Sequence, residues 1–199
     1  MHLTSKRQDY NSTLSKALNL GIYGGDLSYS GLFAKHEAAI KYLVTSQILA
    51  DELGIGPAFQ GEFILRLEEN AGNKDTLLRV VSEFFLKNDE YLKESTNQDL
   101  PIYVLAAGWV EGMYLGTKIV DDKINAIGVR NIITNQRDAL QNIIVLFQNA
   151  KSSETSEKIL TMLEELESVY EGIEGEMSEE DFLTIKSKIE LTRNFITQL

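Results

Sequence analysis

The fold of this chain is decided by two glycine-rich apolar stretches, LNLGIYGGDLSYSGLF at residues 18–33 and IYVLAAGWVEGMYLGT at residues 102–117. Each stretch carries one carboxylate near its middle, Asp26 in the first and Glu111 in the second. Glycine weakens a helix, and a lone acid is costly to bury among apolar side chains. Close packing or a bound ligand must therefore offset both costs.

The length and composition, with 43% hydrophobic and 25% charged residues, are typical of one compact soluble domain or of two small lobes that share a core. Because the predicted connections are short, we expect a single helical domain over 1–199. The formal net charge is -11, and Lys and Arg form no stripe that would neutralise phosphates, so we expect no nucleic-acid partner. Cysteine is absent, which excludes disulfides, thiolate metal sites and cysteine nucleophiles.

Apolar residues recur at helical spacing nearly everywhere, and no run alternates strictly. The pattern predicts an all-α fold: an antiparallel bundle of about eight helices with the two Gly-rich helices at its centre. We expect helices over 12–33, 35–53 and 58–70, a fourth that Asn73 caps, and a fifth that follows a capping box at 96–99.

Three apolar seams in the last third each predict one helix, and a Ser178–Asp181 capping box starts the last of them. The seams run through Val129, Ile133, Gln136, Leu140, Ile143 and Phe147; Ile159, Leu163, Leu166, Tyr170 and Ile173; and Phe182, Ile185, Ile189, Thr192 and Ile196. The stretch 75–84 resembles 138–147, which suggests a weak pseudo-repeat of 1–95 and 96–199.

The glycines of both stretches are spaced by one helical turn, at Gly21 and Gly25 and at Gly108, Gly112 and Gly116. Such a groove without side chains allows a neighbouring helix to approach closely, which offsets the cost of about 1 kcal/mol for each glycine. The same groove would also admit a ligand to the backbone.

The polar residues of these helices leave three interpretations open. The first is a ligand-binding region beside the Gly-rich helices. The second is catalysis by Asp26 and Glu111 as an acid–base pair. The third is a scaffold in which each acid fixes helix register by pairing with a tyrosine, or with a cation such as Lys118 or Arg66. The candidate ligand-binding residues are Tyr23, Asp26, Tyr29, Trp109, Glu111 and Tyr114.

No motif supports a metal, a cofactor or a nucleophilic mechanism. Neither His2 nor His36 stands in the Glu-x-x-His spacing of di-iron bundles, and His36 is better explained as a helix start. A Gly-x-Ser-x-Gly elbow is also absent. The stretch 102–120 nearly reaches membrane-spanning length, but Glu111 and the lack of basic flanks favour a buried helix over a transmembrane one.

The motifs at 17–29, 49–55, 66–70 and 107–117 resemble a family of uncharacterised all-helical proteins from Bacteroidetes-type bacteria, whose members are often predicted to be exported or lipid-anchored. The resemblance covers about the first 120 residues and implies a helical fold and a periplasmic or envelope location, with no known activity. Residues 1–9 lack the apolar core of a signal peptide, and no lipobox cysteine is present, so export implies a leader or lipid anchor lost from this chain.

We therefore expect a non-enzymatic cell-envelope module that binds a small ligand or a partner protein near the Gly-rich helices. The enzyme and the purely structural scaffold are the alternatives.

Overall fold

A computed structural model describes residues 1–55, 65–66, 69, 73, 75–76, 79–80, 83, 99–122, 127–173 and 175–199. This part of the chain is helical and contains no strand, which confirms the all-α prediction. Within the described residues, the helices with defined bounds are a 3-10 helix at Thr4–Asp9 and then α1 Thr13–Leu32, α2 His36–Glu52, α3 Leu100–Asp122, α4 Ile127–Thr134, α5 Arg137–Gln148, α6 Glu154–Glu171 and α7 Glu179–Thr197.

Helix starts follow the predicted caps closely. Ser178 and Asp181 form the expected capping box at α7, and Ser12 forms another at α1. Asn73 Oδ1 accepts a hydrogen bond from the Thr76 backbone N–H at 3.1 Å, as an N-cap does. Most of the predicted helix over 58–70, most of the fourth helix and residues 96–98 of the predicted capping box lie outside the described residues.

Both α1 and α2 end in a Schellman motif. At the end of α1, Lys35 N–H donates to Ser30 O and Ala34 N–H donates to Gly31 O. At the end of α2 the corresponding left-handed position is Gly54, with φ 76°, whereas Ala34 adopts φ 52°. The reversal between α1 and α2 therefore holds a non-glycine residue in a conformation that favours glycine.

The predicted single helix through Val129 and Phe147 is wrong, because the chain turns between α4 and α5 at Asn135 and Gln136. Gln136 N–H donates to Ile133 O in a tight turn, and the Thr134 hydroxyl donates back to Arg130 O. Threonine and asparagine are weak helix formers whose side chains compete for backbone groups. The apolar spacing continues through the break, so the seam alone conceals it.

Contacts divide the chain into two compact units, Met1–Trp109 with Leu199, and Val110–Gln198. The division falls within α3, whose first ten residues belong to the first unit. The single domain expected over 1–199 and its pseudo-repeat halves stay predictions.

In the first unit, α1 packs against α2, and the start of α3 contacts α1 at Gly21. A Cβ atom at Gly21 would lie 2.3 Å from Val104 O and 2.8 Å from Gly108 N, so the two backbones meet there. The packing interpretation of the glycines therefore holds at Gly21 and Gly108. Around Gly112, by contrast, a Cβ would find open space.

In the second unit, α6 packs against both α5 and α7. Its core follows the predicted seams, and the buried Tyr170 hydroxyl donates to Ile133 O at 2.8 Å. Burial raises the pKa of Tyr170 above its usual range, so this donor stays protonated. None of the described helices, α3 included, combines the length and apolar character needed to cross a bilayer.

We predict opposite effects for two alanine substitutions at helical glycines. Gly21→Ala places a methyl group against the rigid backbone of α3, so we expect a loss of about 2 kcal/mol or more in the free energy of unfolding. Gly112→Ala is the matched control: it meets no atom and gains helix propensity, so stability rises by about 0.5–1 kcal/mol. Urea denaturation measures both, and equal effects would contradict the close approach at Gly21.

The capping box of α7 predicts a pH dependence. Hydrogen bonds from the Ser178 side chain and backbone lower the pKa of Asp181, so the folded state favours its charged form. This stabilisation is present above the pKa of the unfolded chain and is lost as pH falls through the lower folded pKa. Asp181→Asn should therefore flatten the acid limb of melting temperature against pH, whereas Glu180→Gln, which removes one charge from the same turn, should leave it unchanged.

Candidate ligand-binding site

Asp26 holds the N-terminal segment, His2–Thr4, against α1. Its carboxylate is fully buried; Oδ2 accepts a hydrogen bond from the His2 backbone N–H at 2.6 Å, and Oδ1 lies 3.9 Å from the Met1 amino group. A buried carboxylate requires such donors or a cation. Asp26 therefore serves as an anchor for a segment that is distant along the chain.

Two tyrosines reinforce this anchor. The Tyr23 hydroxyl donates to Leu3 O at 2.9 Å, and the Tyr42 hydroxyl donates to His2 O at 2.8 Å. Burial raises the pKa of Tyr23 above its usual range, and its hydrogen bond with Tyr10 and the nearby Asp26 act in the same direction. Side chains of α1 and α2 thus bind the backbone of the N-terminal segment at three points: the N–H of His2 and the carbonyl oxygens of His2 and Leu3.

The ring of His2 lies within an aromatic cluster. Its centroid is 5.3 Å from that of Tyr23, and its Nε2 atom is 2.5 Å from the Tyr10 hydroxyl. The Tyr23 ring also packs against Tyr42, with centroids 6.1 Å apart. These contacts fix the orientation of the His2 ring next to α2.

Between the N-terminal segment and the start of α2 lies a cavity of about 510 Å3, called here the N-terminal cavity. This is within the size range of small-molecule sites. The cavity lies entirely in the first unit, and its described lining is His2, Leu3, Thr4, Lys35, His36, Glu37, Ala38, Lys41 and Tyr42.

A larger depression of about 670 Å3 lies on the second unit, but its described lining comes from α7 alone. Leu183 and Leu191 there are 51% and 58% exposed. Polar groups from different elements do not converge on it within the described residues. The N-terminal cavity is therefore the better candidate for a ligand site.

Glu111 belongs to a different cluster, in the second unit. Arg193 binds it through two hydrogen bonds, Nε to Oε2 at 2.6 Å and Nη2 to Oε1 at 3.3 Å. The Arg193 guanidinium also lies 4.2 Å from the centroid of the Tyr114 ring, and both charged side chains are buried. This bidentate pair joins α3 to α7 and neutralises the acid.

The cations expected to pair with the acids were wrong. Lys118 pairs instead with Glu190 at 3.5 Å, and Arg66 pairs with Glu83 at 2.5 Å. Both of these ion pairs are partly exposed, so they can retain some hydration. The buried Glu111 is bound by an arginine, which satisfies both carboxylate oxygens with one side chain.

The six predicted site residues are distributed over several environments. Tyr23 and Asp26 lie behind the N-terminal cavity, whereas Tyr29 packs on Phe33, with Lys35 Nζ 4.7 Å from its centroid. Trp109 is half-buried on α3 and is not among the described lining residues of the cavity. Glu111 and Tyr114 form the cluster with Arg193 described above.

Two important residues escaped prediction from the sequence. Arg193 follows Ile189 by four residues and precedes Ile196 by three, so it is a lone cation on an apolar seam, and that signal was available. His2 was considered only as a metal ligand, whereas its backbone N–H makes the key contact. Every residue except proline has a backbone N–H, so the sequence does not show which one binds a buried carboxylate.

Comparisons with known proteins give no relative: no family model, curated protein or solved structure matches the chain. The described residues define an all-helical fold, and the resemblance to exported helical proteins of Bacteroidetes-type bacteria stays a prediction. Among the residues that the structure describes, no three His, Asp or Glu side chains are grouped as a metal site requires.

The buried ion pair predicts that Glu111→Gln strongly destabilises the protein. The substitution leaves the Arg193 charge buried without its counter-ion, which costs about 3–5 kcal/mol in comparable pairs. Urea denaturation should show this loss as a lower midpoint.

Lys118→Gln is the control, because its ion pair also joins α3 to α7 but both partners are about 40% exposed. We expect it to cost less than about 1 kcal/mol. Unchanged stability of Glu111→Gln would contradict the register-fixing role of the pair.

Proposed function

We propose that this protein is a non-enzymatic helical module that binds a small ligand in the N-terminal cavity, beside the Gly-rich helix α1. The proposal rests on the hydrogen bonds that hold one wall of this cavity in place. Buried groups of Asp26, Tyr23 and Tyr42 hold the N-terminal segment in place. A wall fixed by part-buried hydrogen bonds favours a preformed site, which lowers the entropic cost of binding.

The shape of the cavity also favours a small molecule over a partner protein. The cavity is concave and receives side chains from two separate segments of the first unit. An envelope location, which the family resemblance implies, is part of the same proposal.

Acid–base catalysis by Asp26 and Glu111 has less support. A catalytic carboxyl group must reach a proton on its substrate. Both carboxylates are fully buried, and Glu111 is already paired with Arg193. These contacts favour anchoring roles for the two acids. A purely structural scaffold is the second candidate, and the bidentate Glu111–Arg193 pair favours it.

A fragment screen by NMR tests the proposal. We expect at least one member of a panel of neutral, cationic and anionic fragments to shift the backbone amide signals of residues 2–4 and 35–42 in 15N-labelled protein. Ala38→Phe should abolish the shifts, because Ala38 lines the cavity and the larger ring fills it. Ala139→Phe, at another half-buried alanine on α5, should leave them unchanged.

Absence of shifts at these amides across the whole panel would contradict the proposal. So would shifts that persist in Ala38→Phe while its melting curve shows a folded protein.

A further inference from the structure

We infer that the ligand of the N-terminal cavity is a small anion, a molecule that carries a phosphate or carboxylate group. The inference rests on the proposed function, since it concerns the same cavity. It is carried by the charge and the pairing of the side chains that line that cavity.

The described lining is basic although the protein is acidic. Two lysines, Lys35 and Lys41, face a single acid, Glu37, among the nine lining residues. The chain as a whole carries a formal net charge of -11. An anion would therefore find locally favourable potential here on an otherwise repulsive surface.

The two lysines also lack an ion-pair partner, unlike two other lysines of the first unit. Lys6 pairs with Asp9 at 3.1 Å and Lys16 with Glu52 at 2.8 Å in the same unit. Neither Lys35 nor Lys41 has a carboxylate within 4.0 Å among the described residues. The Lys35 ammonium lies over the Tyr29 ring, which restrains it without neutralising it.

The start of α2 adds further groups to this wall. The His36 side chain lies there, and its Nδ1 atom is buried without a hydrogen-bond partner within the described part of the chain. The helix α2 begins beside it without a side-chain cap, so N–H groups of its first turn add donors. Glu37 opposes an anion, but it is exposed and favourably placed in the first turn of the helix.

Titration with sodium phosphate, and separately with sodium acetate, at ionic strength held constant with sodium chloride tests the inference. We expect the amides of residues 35–38 and 41 to shift with an apparent Kd of about 1 mM, as befits a free ion that makes few contacts. The phosphate and acetate arms distinguish a phosphate-bearing ligand from a carboxylate.

Substitutions that remove one charge locate the site. Lys35→Gln and Lys41→Gln should each weaken binding about threefold or more, and the double variant about tenfold. Lys158→Gln removes the same charge from the exposed surface of α6 and should leave the affinity unchanged. Melting curves verify that every variant is folded.

The outcomes separate the two claims. If neutral fragments shift the cavity amides and neither anion does, the anionic class is wrong and the cavity site stands. If no compound shifts them, both are wrong. Anion shifts that are equally strong in the double lysine variant would also overturn the inference.

Discussion

The backbones of α1 and α3 meet at Gly21, and this contact constrains how the helices of the first unit pack. A side chain there would collide with Val104 O, and a carbonyl within a helix cannot move aside as a flexible side chain can. The contact fixes which side of α1 faces α3. Tyr23 and Asp26 follow at about 200° and about 140° around the helix from Gly21, so they lie on its other side, where the N-terminal segment contacts both of them. The glycine therefore places one face of α1 against α3, and the buried acid lies on the opposite face.

The cost of burying a carboxylate is offset in different ways at Asp26 and at Glu111. Both are fully buried acids in Gly-rich helices, and each must replace the water that it has lost. Asp26 takes a backbone N–H from a segment 24 residues away, whereas Glu111 takes a guanidinium from 82 residues away. The first contact builds a cavity wall, and the second joins two helices. Each buried acid therefore makes a tertiary contact, and the residue that binds it determines which part of the chain is held against the helix.

How much of this was predictable depends on the range of each interaction. Caps act within one turn, so the predicted capping box placed the start of α7 correctly. The glycine spacing indicated the close approach at Gly21 because a missing side chain is itself a sequence signal. The partner of Glu111 is 82 residues away, and periodicity does not state which helices meet. The break at Asn135 was hidden because apolar spacing survives a two-residue turn.

The turn between α1 and α2 shows that the placement of the cavity has a cost. Both helices end in a Schellman motif, yet Ala34 occupies the left-handed position in one and Gly54 in the other. A non-glycine residue in this conformation costs about 1 kcal/mol. Lys35 follows immediately, and its backbone N–H closes the motif on Ser30 O. The same bond that closes the turn therefore positions Lys35 and the start of α2 at the cavity. Gly54 shows that the same turn can be made without this cost, so the strain at Ala34 is specific to the turn that leads into the cavity wall at Lys35.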